Sequence, residues 1–287
     1  MFYNCENLLF SSGHIYEKLT NLSRVVVAAG EGFPPAIIGL AEVENDSIMR
    51  RWTQRTPLAK WHYRFVVTDS PDVRGINVAL MYQPDDYRVL GHESVRIVMP
   101  DDIRPTRDLL HVWGRVVNGD TVDVVVCHLP SRYGDKKVSD KARSIAHTYL
   151  RQLMDSIIDC RSNPHLIVMG DFNDYPTSMQ VKRNLFGYVN LMLPLQKALI
   201  KGQLSYGSHK YAGEWGFLDH FLVNVSMTDA SQSVHVVNPR SFAMPFMLIE
   251  DERRLGVRPK RSRYGYQYEG GYSDHLPILL DIMIHKK

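Results

Sequence analysis

Residues 166–174, with the sequence LIVMGDFND, constrain the fold of this chain more than any other stretch. Four apolar residues run directly into Gly170, and a continuous apolar run bounded by polar residues is typical of a strand buried on both faces. Successive side chains of an extended chain point to opposite sides, so Asp171 and Asn173 are expected on one side and Phe172 on the other. The pattern predicts a carboxylate and a carboxamide side by side at the rim of a sheet.

This polar pair has two interpretations. In the catalytic one, the carboxylate orients a water or a proton while the amide donates hydrogen bonds to an anion. In the structural one, Asp171 and Asn173 only end the strand by Asx turns, and Asp174, Tyr175 and Pro176 lead into the next element. The stretch alone favours the structural interpretation. The catalytic interpretation gains weight because several other predicted strands also end in reactive groups.

Two further polar groups follow apolar runs. Glu42 comes directly after residues 36–41, and a carboxylate there is costly to desolvate unless a cation or hydrogen-bond donors meet it. Taken alone, Glu42 fits a salt-bridged or capping acid as well as a metal ligand. His128 follows the predicted strand at 121–127. A single histidine there usually only makes a hydrogen bond, but Ser131 and Arg132 lie within four residues and give the segment an anion-binding character.

The remaining candidates lie at the two ends of the chain. Asn4 ends a short predicted strand at residues 1–4, and Asp219 is placed in the middle of a predicted strand at 215–223. An acid inside a strand needs a partner, for which a histidine is well suited. Asp274 and His275 stand in the loop before the last predicted strand, at 278–284.

A basic and aromatic segment, residues 253–268, precedes that loop. It contains the following cations and tyrosines: Arg253, Arg254, Arg258, Lys260, Arg261, Arg263, Tyr264, Tyr266 and Tyr268. Interleaved basic and aromatic residues suit nucleic acid or another phosphate-rich ligand. A solvated loop is the simpler interpretation of each arginine taken separately, although the position of the segment, just before Asp274, suits the mouth of a site.

Composition limits the classes of protein that fit. The chain has 287 residues, 44% of them hydrophobic and 23% charged, which are ordinary globular values, and its net charge of +3 permits an anionic substrate without requiring one. Three cysteines are too few for a disulfide framework, and no apolar run reaches the ~18 residues of a membrane span. The chain starts directly in a strand, which suggests a trimmed start. An exported protein, secreted or periplasmic, and a cytoplasmic one both stay open.

Coarse periodicity predicts alternating helices and hairpins. Helices are expected at residues 15–29 and 139–159, and a further helix is expected to begin near Ser47. Antiparallel strand pairs are expected at 65–68 with 77–82, at 87–90 with 95–98, and at 108–117 with 121–127. No strict repeat or linker-like shift in composition divides the chain, so a single domain over 1–287 is expected. A monomer is predicted as well.

Six motifs together resemble the endonuclease/exonuclease/phosphatase (deoxyribonuclease I-like) superfamily. They occur in the superfamily's order: YNCENL (residues 3–8), LAEVE (40–44), CHLPSR (127–132), GDFN (170–173), LDH (218–220) and SDH (273–275). The resemblance implies an α+β fold, a four-layer αββα sandwich of two mixed β-sheets with outer helices. It also implies a metal-dependent phosphoester hydrolase with its site at the loop end of the sheets.

The resemblance also implies roles. Glu42, with Asn4 and Asp274, would hold Mg²⁺, with Mn²⁺ or Ca²⁺ as substitutes, and oxygen ligands agree with such hard cations. His275 would be the general base, oriented by Asp219. His128 and Asn173 would donate to the phosphate. Asp171 would position the water or assist the leaving group.

Arg132 is a further candidate phosphate contact, inferred from its position rather than from the superfamily. The first prediction is a phosphodiesterase or nuclease that uses a histidine-activated water for in-line attack on phosphorus. A lipid or sugar phosphate phosphatase of the same fold is the second alternative, and a non-catalytic phosphate-binding module is the third. That module is disfavoured because Glu42, His128 and His275 are all present. One fold hosts many functions, so the motif residues carry this prediction and not the fold alone.

Overall fold

The computed structural model describes residues 1–264 and 267–285. Within these residues, the α-helices are α1 (Ile15–Ala29), α2 (Asp46–Arg55), α3 (Lys136–Cys160), α4 (Met179–Asn184) and α5 (Met192–Ile200). The strands are β1 (Phe2–Leu8), β2 (Ile37–Val43), β3 (Arg64–Val67), β4 (Asn77–Tyr82), β5 (Arg88–Val95), β6 (Leu109–Arg115), β7 (Thr121–His128), β8 (Leu166–Asp171), β9 (Tyr188–Asn190), β10 (His209–Tyr211), β11 (Glu214–Gly216), β12 (Asp219–Asn224), β13 (Val234–Ser241), β14 (Leu248–Glu250), β15 (Val257–Pro259), β16 (Arg263–Tyr264), β17 (Gln267–Tyr268) and β18 (Ile278–Ile284).

Two six-stranded sheets contain most of these strands. The first has the order β13-β18-β1-β2-β4-β3, and the second has the order β5-β6-β7-β8-β12-β9. Both sheets are mixed, because β1 pairs with β2 and β7 pairs with β8 in parallel while their other pairings are antiparallel. Three short hairpins, β10-β11, β14-β15 and β16-β17, lie outside the sheets.

Alternation along the strands explains why the two sheets face each other. In β7, Val124 and Val126 point into one apolar cluster, whereas Val125 and Cys127 point into another. The first of these clusters also contains Phe2 of β1 and lies between the sheets. Because side chains of a strand alternate between its faces, and residues 124–127 are apolar at both sets of positions, this part of β7 must be covered on both sides.

Helices provide the outer cover on each side. Leu22 of α1 and Trp52 of α2 are fully buried in a cluster with Leu40 of β2, on the outer face of the first sheet. Leu150 of α3 packs with Val168 of β8 on the outer face of the second sheet. The layers are therefore helix, sheet, sheet and helix, which confirms the predicted four-layer αββα sandwich.

Several details differ from the sequence-based prediction. Strand β1 continues to Leu8, so Asn4 lies within it and not at its end. Residues 87–90 and 95–98 do not pair with each other, because Arg88–Val95 is one strand that pairs with β6. Asp219 is the first residue of β12 and not the middle of a longer strand, because residues 217 and 218 are not in a strand and separate β11 from β12. The helix α2 begins at Asp46, one residue before the predicted start, because the side chain of Asn45 caps it by accepting from the Ile48 amide at 3.2 Å.

Candidate active site

Strand register brings three predicted site residues together in the second sheet. His128 of β7 is the register partner of Asp171 in β8, and Asp171 is in turn the partner of Asp219 in β12. The preceding residue, Gly170, allows the strands to approach, because a Cβ atom there would lie 2.2 Å from the carbonyl oxygen of Cys127. The glycine ahead of Asp171 thus serves the close packing that aligns the three side chains.

Asp171 is the centre of this arrangement. Its Oδ2 atom accepts a hydrogen bond from Asn4 Nδ2 at 3.0 Å and lies 3.6 Å from His128 Nε2 and 3.8 Å from His275 Nε2. Burial raises the pKa of Asp171 to about 7; His275 opposes the rise, whereas the nearby Asp219 carboxylate adds to it. The group therefore holds a proton far more readily than an ordinary aspartate does.

His275 and Asp219 form a buried imidazole–carboxylate pair. Nδ1 of His275 lies 2.7 Å from Oδ2 of Asp219, which fixes the ring so that Nε2 points toward Asp171. Burial alone would lower the pKa of His275, but the Asp219 and Asp171 carboxylates outweigh it and hold that pKa well above its usual value. His209 covers the other side, with its ring centroid 4.7 Å from that of His275.

Glu42 enters the site through an irregularity of strand β2. Its backbone has a φ of +63°, a left-handed conformation rare outside glycine, at the point where the pairing with β4 shifts register. One carboxylate oxygen accepts from the Asn7 amide at 2.7 Å. The other lies 3.5 Å from the Arg74 guanidinium and 4.0 Å from His128 Nε2. A conformation of this kind is retained where it serves a site.

The donor chemistry fits a hard divalent cation. Glu42, Asn4 and Asp274 offer carboxylate and amide oxygens, and the second Glu42 oxygen faces the partly exposed Arg74 at 3.5 Å and His128 at 4.0 Å. Asn4 Oδ1 also accepts from the Glu6 amide, and Asp274 accepts from Arg261 at 3.0 Å. Two other groups within the described residues bring three ligand atoms close together: His209, Asp274 and His275, and Asp171, Asp219 and His275. Asp274 is common to the predicted metal set and the first of these groups.

His128 is held as a neutral ring. Burial, together with the charges of Arg107 and Arg74, lowers the pKa of His128 well below its usual value. The buried Arg107 also fixes the chain behind the ring, because it donates to the carbonyl oxygens of His128 and Leu129 and pairs with Asp72 at 3.0 Å. A neutral imidazole has one N–H, so His128 suits hydrogen-bond donation rather than charge pairing.

Asn173 combines both sequence-based interpretations. Its backbone amide donates to Asp171 Oδ1 at 2.8 Å, which is an Asx turn, and its φ is +49°. Its side-chain Nδ2 donates to the Leu129 carbonyl at 3.0 Å, which anchors the amide while leaving its second N–H available. Asp171 and Asn173 were expected on one side of an extended strand. Strand β8 ends at Asp171, so the turn that follows, and not strand geometry, brings Asn173 close to Asp171.

A cavity of about 530 Å³ collects the predicted residues. All of them except Asp219 line it: Asn4, Glu42, His128, Arg132, Asp171, Asn173, Asp274 and His275. Asp219 lies behind His275, where it contacts the ring rather than the cavity. Arg132 stands at the wall with its side chain about half exposed, 3.6 Å from Asp174 and over the Tyr175 ring. Sequence order and sheet topology thus converge on one site.

The sequence analysis missed several lining residues, of which Arg74 and His209 approach predicted site residues. Arg74 lies in the connection between β3 and β4, where it approaches Glu42, and His209 of β10 forms an isolated bridge with His275. Neither belongs to a motif or a periodic segment. A composition signal existed only for Arg74, as one basic residue in a turn rich in proline, aspartate and glycine. Their positions follow from tertiary contacts and not from local pattern.

A scan of family models identifies the class. The model of the Endonuclease/Exonuclease/phosphatase family matches residues 2–285. The chain belongs to this family, whose members are phosphoester hydrolases that generally use divalent metal ions. A search of the curated proteins found no match.

Solved structures share the fold along nearly the whole chain. The catalytic domain of human Nocturnin with bound sulfate is 18% identical, covers 99% of this chain and 93% of its own, and has a TM-score of 0.63. Danio rerio TDP2 complexed with a single-strand DNA product is 15% identical, covers 98% of this chain and 97% of its own, and has a TM-score of 0.64. A mannosyl-6-phosphatase of Bacteroides thetaiotaomicron is 14% identical, covers 99% of this chain and 98% of its own, and has a TM-score of 0.63. Within the described residues, no helix is long and apolar enough to cross a membrane.

Proposed function

We propose that the protein is a metal-dependent phosphodiesterase or nuclease that uses a histidine-activated water for in-line attack on phosphorus. The observation that carries the proposal is the His275–Asp219 pair, joined at 2.7 Å, whose Nε2 faces a cavity that also contains Glu42, His128 and Asp171. A base with an orienting acid, a neutral donor and oxygen ligands are the parts that phosphoester hydrolysis needs.

His275 is the general base in this proposal. Asp219 holds the Nδ1–H, so Nε2 is the atom that takes the proton from the attacking water. The surrounding carboxylates favour the protonated ring. The pKa of His275 would fall with a cation bound at the neighbouring oxygen ligands, which would leave Nε2 unprotonated and ready to accept a proton. The base is thus coupled to the electrostatics of the metal site.

The phosphate is bound by donors on the β7 and β8 side. His128 offers a neutral N–H, Asn173 offers its second amide N–H, and Arg132 is exposed enough to turn toward an anion. As charge builds on the nonbridging oxygens, these preorganised donors stabilise it. Asp171 either positions the water or gives a proton to the leaving group, and its contacts with both histidines suit either role.

Glu42, Asn4 and Asp274 would hold the metal, with Mg²⁺ as the proposed ion and Mn²⁺ or Ca²⁺ as substitutes. The ion would supply charge neutralisation of the phosphoryl oxygens. All three residues line the cavity, and each also has a hydrogen bond or ion pair that fixes its side chain. We further propose that residues 1–287 form one domain and that the protein is a monomer.

A phosphatase acting on a lipid or sugar phosphate is the second candidate. One of the similar structures is that of a mannosyl-6-phosphatase, and its fold is shared along 99% of this chain. The same catalytic residues would serve a phosphomonoester. A non-catalytic phosphate-binding module is disfavoured because a binding site alone requires neither the oriented His275 nor the buried Asp219.

The test is hydrolysis of a substrate panel by the purified protein with Mg²⁺ or with EDTA. The panel contains single- and double-stranded DNA, RNA, bis-p-nitrophenyl phosphate, p-nitrophenyl phosphate and sphingomyelin. We expect EDTA-sensitive cleavage of the nucleic acids or the diester, absent from His275→Ala. Cleavage of p-nitrophenyl phosphate alone would favour the phosphatase. Silence on the whole panel from a folded protein would contradict the proposal.

A further inference from the structure

A second, basic groove is continuous with the catalytic cavity. It has a volume of about 300 Å³ and is formed mainly by the hairpins β10-β11 and β14-β15. His209, Tyr211 and Asp274 line both the groove and the cavity, so the two spaces share a wall. A molecule bound at His275 could therefore extend into the groove without leaving the protein surface.

Several cations of the groove are already neutralised. Lys210 pairs with Asp251 at 2.9 Å, Arg258 pairs with Glu269 at 2.7 Å, and Arg261 bridges Glu6 and Asp274. These pairs hold the hairpins in place and leave little charge for a ligand, because each guanidinium or ammonium already faces a carboxylate.

Arg253 and Arg254 differ from their neighbours. Within residues 1–264 and 267–285, neither guanidinium has an acidic partner, and both residues are exposed. The Arg253 guanidinium lies 4.8 Å from the centroid of the Tyr264 ring, which supports it at the groove. Arg254 packs its aliphatic part near Gly213, where a Cβ atom would lie 3.4 Å from it. Both cations are thus held at the groove wall with their charge available.

An aromatic side chain connects the two spaces. Tyr211 lines both the cavity and the groove and is 72% exposed. Burial of its apolar ring therefore does not explain its position. An exposed aromatic ring between two anion-binding positions suits a base or sugar that links two phosphates.

We propose that the groove is a second-phosphate subsite, in which Arg253 and Arg254 bind a phosphate one short linker away from the phosphate that is hydrolysed. This inference rests on the proposed function and narrows its substrates to those that carry a flanking phosphate. The linker is a nucleoside in a nucleic acid or a sugar in a sugar bisphosphate. Within the sequence segment rich in arginine and tyrosine, Arg253, Arg254 and Tyr264 thereby acquire a role. Tyr266 lies outside the described residues.

The experiment compares substrates that differ by one phosphate. The nucleic-acid pair is thymidylyl-thymidine with and without a terminal phosphate, and the sugar pair is ribose bisphosphate against ribose phosphate. We expect the added phosphate to raise kcat/KM in the wild-type protein for one pair. In Arg253→Ala/Arg254→Ala the ratio within that pair should fall about 10-fold, as expected for losing charge-assisted contacts. The pair that responds names the linker.

Arg55→Ala/Arg115→Ala is the matched control. Both residues are exposed, line neither the groove nor the cavity, and their loss changes the net charge equally. An equal fall of the ratio in both double variants would overturn the subsite, because it would show a general effect of charge. So would an added phosphate that gives no advantage to the wild-type protein.

A binding measurement separates the subsite from the proposed chemistry. Fluorescence anisotropy of a fluorescein-labelled oligothymidylate pentamer in EDTA requires no turnover. Losing the contacts to that one phosphate should reduce the slope of log K against log salt by about 0.7 in Arg253→Ala/Arg254→Ala only. Binding lost in that variant, without hydrolysis by any protein, would support the subsite and contradict the hydrolase. Hydrolysis with an unchanged slope and an unchanged ratio would contradict the subsite alone.

Discussion

Two buried aspartates face the same imidazole, and their different contacts give them different tasks. Asp219 is the register neighbour of Asp171, yet it alone hydrogen-bonds His275, at 2.7 Å. Asp171 instead accepts from Asn4 and stands at the cavity wall. Their carboxylate charges raise the pKa of His275 against the effect of burial, so the pair stores negative charge next to the proposed metal ligands.

The first prediction concerns the base. His275→Ala should lower kcat on the best substrate by about 10²–10⁴-fold, because it removes proton transfer from the attacking water. The fold should stay intact, as measured by circular dichroism, even though the buried Asp219 carboxylate loses a hydrogen-bond partner. His92→Ala, at an exposed position of β5, is the control and should match the wild type. Near-normal turnover by His275→Ala would remove His275 from the general-base role.

The second prediction concerns the metal. Glu42→Gln keeps the shape and the acceptor for the Asn7 amide but removes the negative charge, so half-maximal activity should require about 10-fold or more Mg²⁺. Glu44→Gln is the matched control, since that carboxylate accepts from the Phe10 amide and does not line the cavity. A metal titration of Glu42→Gln that overlays the wild-type curve would exclude Glu42 as a ligand.

At the scale of elements, the segment before β16 is tied to strand β1. Arg261 donates to Glu6 at 2.8 Å and to Asp274 at 3.0 Å, and the Ser262 amide donates to the same Glu6 carboxylate at 2.7 Å. Glu6 and its neighbour Asn7 both have positive φ angles, so the end of β1 bends to make these contacts. The basic segment is thereby fixed against the strand that presents Asn4.

A third prediction follows from that connection. Arg261→Gln should lower the free energy of unfolding by about 1–3 kcal/mol, because it leaves the buried Glu6 carboxylate short of a donor. It should also lower kcat through Asp274. Arg240→Gln, which breaks a half-exposed pair with Asp281, should cost at most about 1 kcal/mol. Urea unfolding measures the free energy of unfolding, and steady-state kinetics measures kcat. Equal stability losses in the two variants would contradict the role of Arg261 in joining the basic segment to β1.

The elements that could be predicted from the sequence are those with a strong pattern. β8 begins with a continuous apolar run, β7 is apolar at residues 124–127, and α1 has helical spacing, so these elements followed from local pattern. The sandwich itself followed from the resemblance of the six motifs. Strand β5 was misread because Gly91 interrupts it and its exposed faces carry no alternation. Arg74 and His209 reach the cavity from connections and short hairpins, and the left-handed φ of Glu42 arises from a shifted register. Such features depend on tertiary contacts and leave no local periodicity.

At the scale of the whole molecule, the site lies where two parallel pairs end. Each sheet has one such pair near its centre, β1 with β2 and β7 with β8. Glu42 lies one residue before the end of β2, and His128 and Asp171 are the last residues of β7 and β8. Strands of a parallel pair end on one side, so each sheet delivers its polar groups to a common edge. The two sheets pack face to face, so these two edges lie opposite each other and enclose the cavity.

The same close packing buries a histidine that does not line the cavity. His147 of α3 is fully buried, neither ring nitrogen has a hydrogen-bond partner among the described residues, and its ring lies 6.0 Å from that of Phe172. Burial, with smaller contributions from His220 and Arg143, lowers the pKa of His147 from 6.5 to about 3. The native state therefore resists protonation of a group that the unfolded chain protonates readily.

The stability of the whole molecule should fall with acidification for this reason. Between pH 6.5 and about 3 the unfolded chain binds a proton at His147 and the native chain does not, so the free energy of unfolding decreases as pH falls through that window. His147→Leu removes the titration and two unpaired nitrogens. Between pH 7 and pH 5, the free energy of unfolding of His147→Leu should fall by about 1–2 kcal/mol less than that of the wild type, as measured by urea unfolding. The exposed His92→Leu is the control and should retain the wild-type pH dependence; a matching dependence in His147→Leu would show that other groups cause the acid sensitivity.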